Sequence, residues 1–138
     1  MAQQAGASSP QISLALWGTG GSTAAFAETT SQVSMNVWHN VVVTYSGTGN
    51  TAGMNIYVDG VNQALTVKEN TLNTSILNSD APAINSRSGT PTAESNDVMD
   101  ELRVSASGVV LTQAWVAASY NNQSSPGTFF TVATGLTN

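Results

Sequence analysis

The chain has 138 residues, 41% of them hydrophobic, which is the size of one domain with a real core. It has no cysteine, so a disulfide framework and thiolate chemistry are excluded. Lys68, Arg87 and Arg103 stand against eight carboxylates for a formal charge of −5, which cannot neutralise a run of phosphates and so makes nucleic acid a poor partner and disfavours a general affinity for anionic membranes.

No stretch approaches the roughly 20 apolar residues of a membrane-spanning helix, so membrane insertion is not expected. Charged residues are only 8%, and Ser, Thr and Asn fill the polar positions. That balance points to an extracellular, cell-surface or virion-associated setting. Residues 1–6 show neither a basic n-region nor an apolar h-region. The expectation is a mature or excised piece of a secreted protein, or one that reaches its destination without secretion, as virion proteins do.

In chain order, residues 1–11 read as a polar lead-in, 12–134 as one β-sandwich and 135–138 as a tail. Ile12, Leu14 and Leu16 alternate with Ser13 and Ala15, which predicts a half-buried strand ending at Trp17. Gly18–Ser22 is a turn, and Ala24–Glu28 returns as the partner strand; with no Lys nearby and no helix pattern following, the glycines do not read as a phosphate cradle. The next strand runs through Trp38–Tyr45, with His39, Val41, Val43 and Tyr45 on one face and Asn40, Val42 and Thr44 on the other. A Gly-rich loop over 47–53 leads to Met54–Val58, and Asp59-Gly60 closes a tight hairpin whose return strand is Val61–Val67.

Residues 70–79 are weakly extended, Ala83–Asn85 is a brief strand, and 86–96 is a polar loop. Val98–Ser105 alternates well: Val98, Asp100, Leu102 and Val104 share one face, which places Asp100 in an apolar row where it needs a partner. Thr112 is the expected N-cap of a short helix from Gln113 to about Tyr120, with Trp115 anchoring it to a sheet. Thr128–Thr134 is expected as a last strand. Short strands divided by turn clusters, with one helix, predict an all-β antiparallel sandwich with one short C-terminal helix.

Three pieces then resemble the laminin-G-like jelly rolls of the concanavalin A-like lectin and glucanase superfamily. They are Trp38-His39-Asn40-Val41-Val42-Val43-Thr44-Tyr45, the hairpin Ile56-Tyr57-Val58-Asp59-Gly60-Val61, and Met99-Asp100-Glu101-Leu102-Arg103-Val104 with Trp115 and Tyr120–Pro126 after it. The resemblance covers roughly residues 12–132 and implies a concanavalin A-like jelly roll. It also departs from the family, whose members usually carry further strands before the one at Ile12. An abbreviated sandwich would expose a strand edge, and exposed edges invite pairing between chains, so a homo-oligomer is expected.

The superfamily includes β-glucanases, whose active strand resembles Glu-x-Asp-x-x-Glu. The acidic residues Glu94, Asp97, Asp100 and Glu101 do not reproduce it, because Met99 stands where that spacing needs an acid, so no catalytic residue is assigned. Many members of the family bind calcium. The resemblance therefore implies Asp97 and Asp100 as candidate Ca2+ ligands, against a plainer reading in which backbone N–H groups or an arginine satisfy Asp100. His39 is the only histidine, which excludes a His-based metal cluster and leaves a Ser-His-Asp site no other base. Its place after Trp38 points to a structural or surface role.

Asp59 reads as a turn former, and Glu101 with Arg103 as a surface pair. A sugar site wants an exposed aromatic ring beside amides and carboxylates. Trp17, at a strand end beside the Gly-rich turn, is the first candidate and Tyr57 the second, with Trp38 and Trp115 assigned to the core. Two functions compete: a non-catalytic, lectin-like module for glycans, and a self-assembling structural subunit of a virion or extracellular assembly. A glucanase-like hydrolase is the third.

Overall fold

The computed structural model describes residues 10–77, 98–105 and 109–129. Its strands are β1 (Ser13–Trp17), β2 (Ala24–Thr29), β3 (Val41–Tyr45), β4 (Met54–Val58), β5 (Val61–Asn62) and β6 (Leu65–Asn70). Helices α1 (Gln113–Ser124) and α2 (Pro126–Phe129) follow. The strands form two antiparallel three-stranded sheets, ordered β1-β2-β6 and β3-β4-β5, in keeping with a concanavalin A-like sandwich.

Each strand forms where alternation meets a turn that supplies its partner. Leu14 pairs with Ala27 and Leu16 with Ala25, so the apolar row of β1 and the alanines of β2 share one face. Onto that face packs Met54 from the second sheet, with Leu14, Leu16, Tyr45, Leu65 and Leu72 around it. Small alanines in β2 leave room for the long methionine, a large-into-small fit between facing layers. β4 is the central strand of its sheet and is buried on both faces: Met54, Ile56 and Val58 on one, Tyr57 on the other.

The hairpin turn has the expected chemistry. Asp59 and Gly60 both adopt positive φ, 52° and 77°, which is a type I′ turn between the pair Val58 and Val61. The return differs from the single strand expected over Val61–Val67. Only Val61 and Asn62 pair with β4; the chain then crosses, and Leu65–Asn70 pairs with β2 instead. Lys68 lies at a register shift opposite Phe26 and Ala27, and its ammonium meets Glu28 at 2.5 Å. That bulge bends β6 along the first sheet.

Thr112 caps α1 as expected, its Oγ1 accepting the Trp115 N–H at 3.3 Å. The helix runs past Tyr120 to Ser124, and Thr128 and Phe129 belong to α2, so the strand expected from Thr128 does not start there. The anchor is also different. Val116 is fully buried, whereas Trp115 is 53% exposed. The cause is the Gly60 turn, which lies so close that a β-carbon on Gly60 would meet Ala117 Cα at 3.3 Å and Tyr120 Cβ at 3.2 Å. With Ala117 and Tyr120 fixed against the turn, Trp115 is rotated toward solvent.

Val98–Ser105 is the larger correction. Its described residues form no strand, and Val98, Leu102 and Val104 are all exposed. Glu101 sits at φ 51°, a left-handed conformation that interrupts extended backbone. Asp100 is therefore exposed rather than set in a buried apolar row. The expected strand Ala83–Asn85 lies outside the described residues.

Candidate functional site

The strands end in two polar rims, at opposite ends of β4. At the first, Trp17 closes β1 and is 44% exposed. The turn that follows is stitched to the segment after β6: the Thr19 N–H and Oγ1–H both donate to the Ser75 carbonyl, at 2.7 and 2.8 Å. Thr23 and Thr74 hydroxyls lie 3.4 Å apart, and Ser75 Oγ accepts the Leu77 N–H at 3.1 Å. Trp17 thus borders a rim of hydroxyls held by backbone contacts. The Thr51–Gly53 turn stands at this same end, its Thr51 N–H donating to Asn70 Oδ1 at 2.9 Å.

Tyr57, the second sugar candidate, is only 5% exposed and presents no open ring for stacking. It lies inside β4, away from the Trp17 rim, so the two candidates are not brought together. Trp38 is displaced the other way. It is 68% exposed rather than in the core, because ladder pairing begins only at Asn40, whose carbonyl accepts the Asp59 N–H at 2.9 Å. Asn36 at φ 60° turns the chain just before it.

Around this second rim, side chains from four parts of the sequence converge. Asp59 receives the His39 ring at Nδ1, 2.7 Å, and the Asn40 N–H at 3.0 Å. The Asn40 amide donates to Gln123 Oε1 at 3.2 Å, and Gln123 Nε2 donates to Glu101 Oε2 at 3.3 Å. Arg103 donates to the same Glu101 oxygen at 3.1 Å, the surface pair expected from the spacing. Both members are well exposed, so the pair contributes only ~0–1 kcal/mol. Asp59 does form its turn, and it also ties that turn to the approach to β3.

Sequence does not pair His39 with a serine and an acid; the structure does. Ser34 Oγ lies 2.9 Å from Nε2, and Asp59 lies at Nδ1, an order of contacts that matches a hydrolytic triad. The Ser34 carbonyl also lies 3.1 Å from Nε2. With Nδ1 against the Asp59 carboxylate and Nε2 beside both the hydroxyl and the carbonyl of Ser34, His39 bridges the 34–39 loop and the hairpin turn.

Of the two candidate calcium ligands, Asp97 lies outside the described residues. Asp100 uses Oδ1 to accept the Glu101 N–H at 2.9 Å, one of the partners the plainer reading expects. No group of three or more metal-ligating side chains converges among the described residues. The acidic residues weighed for glucanase chemistry are divided likewise, with Glu94 and Asp97 outside the described residues and Glu101 in the network above.

Two antiparallel three-stranded sheets packed through one apolar core are those of a concanavalin A-like β-sandwich. The sequence model for a laminin-G family of the concanavalin A-like lectin/glucanases superfamily matches residues 3–130, and the chain belongs to that family. Domains of this type commonly bind carbohydrate, are usually non-catalytic, and are typically extracellular. Comparison with curated proteins gives no match, and no solved structure matches either. No helix among the described residues is long and apolar enough to cross a membrane.

Proposed function

We propose that this chain is a non-catalytic, lectin-like module that binds glycans in an extracellular, cell-surface or virion-associated setting. The observation that carries the reading is Trp17, an exposed residue at the end of β1 that leads into the turn whose Thr19 and Thr23 meet Ser75 and Thr74. A tryptophan face covers the apolar face of a pyranose, and fixed hydroxyls bond to its edge. Calcium held near Asp97 and Asp100 would supply an oxygen-binding cation for vicinal sugar hydroxyls at the rim that holds Glu101, not at Trp17. A glycan array probed with and without chelator tests both parts. The share of sugar binding carried by this rim should be lost in Trp17→Ala while thermal unfolding of the variant stays near that of the parent; glycan binding unchanged by the substitution overturns the site. Loss of binding in chelator supports the metal, and unchanged binding removes it.

A second reading, self-assembly into a homo-oligomer, is favoured by one observation. Val43 on β3 and Val67 on β6 are exposed on strands that stand at sheet edges among the described residues. Such edges offer unpaired backbone groups beside apolar side chains. Light scattering at micromolar concentration decides it: a monomer rules assembly out.

A further inference from the structure

Resting on the carbohydrate reading, we propose that the Trp38 rim is a second sugar-binding site, separate from the Trp17 rim and selective for neutral oligosaccharides. Trp38 is the most exposed of the three tryptophans at 68%, and it stands two residues before Asn40 in the polar network. A large exposed ring is costly to leave in water without a use, more so with Met35 and Val37 exposed in the same loop. The loop is not loose: His39 ties it to Asp59 through Nδ1 and to Ser34 through Nε2. A ring on a pinned loop loses little freedom when a ligand settles on it.

The network beside it retains hydrogen-bonding capacity. Asn40 and Gln123 each spend one amide N–H on a neighbour, which among the described residues leaves one N–H on each for a ligand. Glu101 engages Arg103 and Gln123 through Oε2 alone, so among the described residues its Oε1 stays available as an acceptor. The network thus offers both donors and an acceptor, which suits sugar hydroxyls, since each hydroxyl both donates and accepts. The amides are already oriented by their mutual bonds, so binding does not have to order them.

Charge sets the class of sugar. Asp59 and Glu101 lie in the network with Arg103 as its cation, and the chain as a whole carries −5. Sulfated or uronic acid-rich chains would meet net repulsion here, whereas a neutral pyranose meets none. The site is also independent of the first one. Trp17 lies at the Thr51–Met54 end of β4 and Trp38 at the Asp59 end, which makes them two separate sites.

The test follows the three tryptophan indole N–H resonances of the 15N-labelled full chain during titration with cellohexaose, laminarihexaose and mannohexaose, with a heparin hexasaccharide as the charged comparison. Signals are assigned with Trp17→Phe and Trp38→Phe. At least one neutral hexasaccharide should move the Trp38 signal, and that shift should persist in Trp17→Ala. Asn40→Ala/Gln123→Ala should weaken the Trp38 titration by about fivefold, the effect of losing hydrogen bonds of ordinary strength, while the backbone spectrum reports an intact fold. A Trp38 signal that stays still while Trp17 titrates overturns this site and leaves the carbohydrate reading standing. Stillness of both with all three neutral probes overturns both. Stronger response to heparin than to the neutral sugars overturns the charge argument and with it the proposed selectivity.

Discussion

The hairpin over residues 38–61 and the segment over 98–105 carry the same kind of sequence signal, yet only one of them is sheet. In the hairpin, Val41 faces Val58 and Tyr45 faces Met54, with every residue between in register. In the segment, Val98, Leu102 and Val104 alternate as well, but they lie in solvent, and Glu101 at φ 51° breaks the extension. Alternation states which residues want the same face; it does not provide a second strand. The Gly-rich loop and the Asp59-Gly60 turn bring partners to β4 on both sides within a few residues, so its pairing is local and closes at small entropic cost. The segment at 98–105 has no strand partner among the described residues, and a side-chain bond from Glu101 to Gln123 ties it to α1.

If that contrast is sound, the largest loss in the molecule should come from the middle of the hairpin. Ile56 is fully buried in the central strand of its sheet. Ile56→Ala should lower stability by about 3 kcal/mol, from lost transfer energy plus the cavity left behind, as read by urea denaturation at constant m. A loss below about 1 kcal/mol would mean that β4 is not the strand around which the sheet is built. Next comes the turn. Gly60→Ala places a side chain at φ 77° and within 3.3 Å of the α1 backbone at Ala117. The expected loss is about 1–2 kcal/mol for the backbone conformation, with helix displacement adding to it. Circular dichroism in the near ultraviolet should report the helix shift through Tyr120; an unchanged spectrum with unchanged stability would break the link drawn between turn and helix.

Local signals made β1, β2, the hairpin and the N-cap of α1 legible in the sequence, because in each case the deciding neighbour is close in the chain. Thr112 needs only the N–H of Trp115, and Asp59-Gly60 needs only itself. Where the outcome depends on distant packing, the reading misses. Trp115 looks like an anchor on a helical wheel, yet the rotation of α1 is set by Gly60, more than fifty positions away. Trp38 follows a β-branched run pattern into the core on paper, but the ladder stops short of it at Asn40. The exit of β6 into the other sheet follows from pairing with Ala25–Thr29, which no pattern in residues 61–67 encodes. The candidate rims divide in the same way. Trp17 is visible as an aromatic residue beside a turn, whereas the Trp38 rim joins residues 38–40, 59, 101–103 and 123 and exists only once the chain has folded.

The smallest expected effect is the sharpest check on the comparison. Val104 is 88% exposed and lies in a segment with no strand pairing. Val104→Ser removes an apolar side chain that already sits in water, so it should change stability by less than ~0.5 kcal/mol, against the several-fold larger loss at Ile56. It should also leave the ties from Glu101 to Gln123 and Arg103 intact, since Val104 takes no part in them. The same denaturation experiment reads both variants. If Val104→Ser costs 1 kcal/mol or more, the valine is buried in solution, the alternation of 98–105 is being used as a strand face, and the segment belongs with the hairpin. In that case Leu102→Ser should show a matching loss, because residues two apart on a strand share a face. If both are silent, the difference between the regions rests on the availability of a partner rather than on the strength of the pattern.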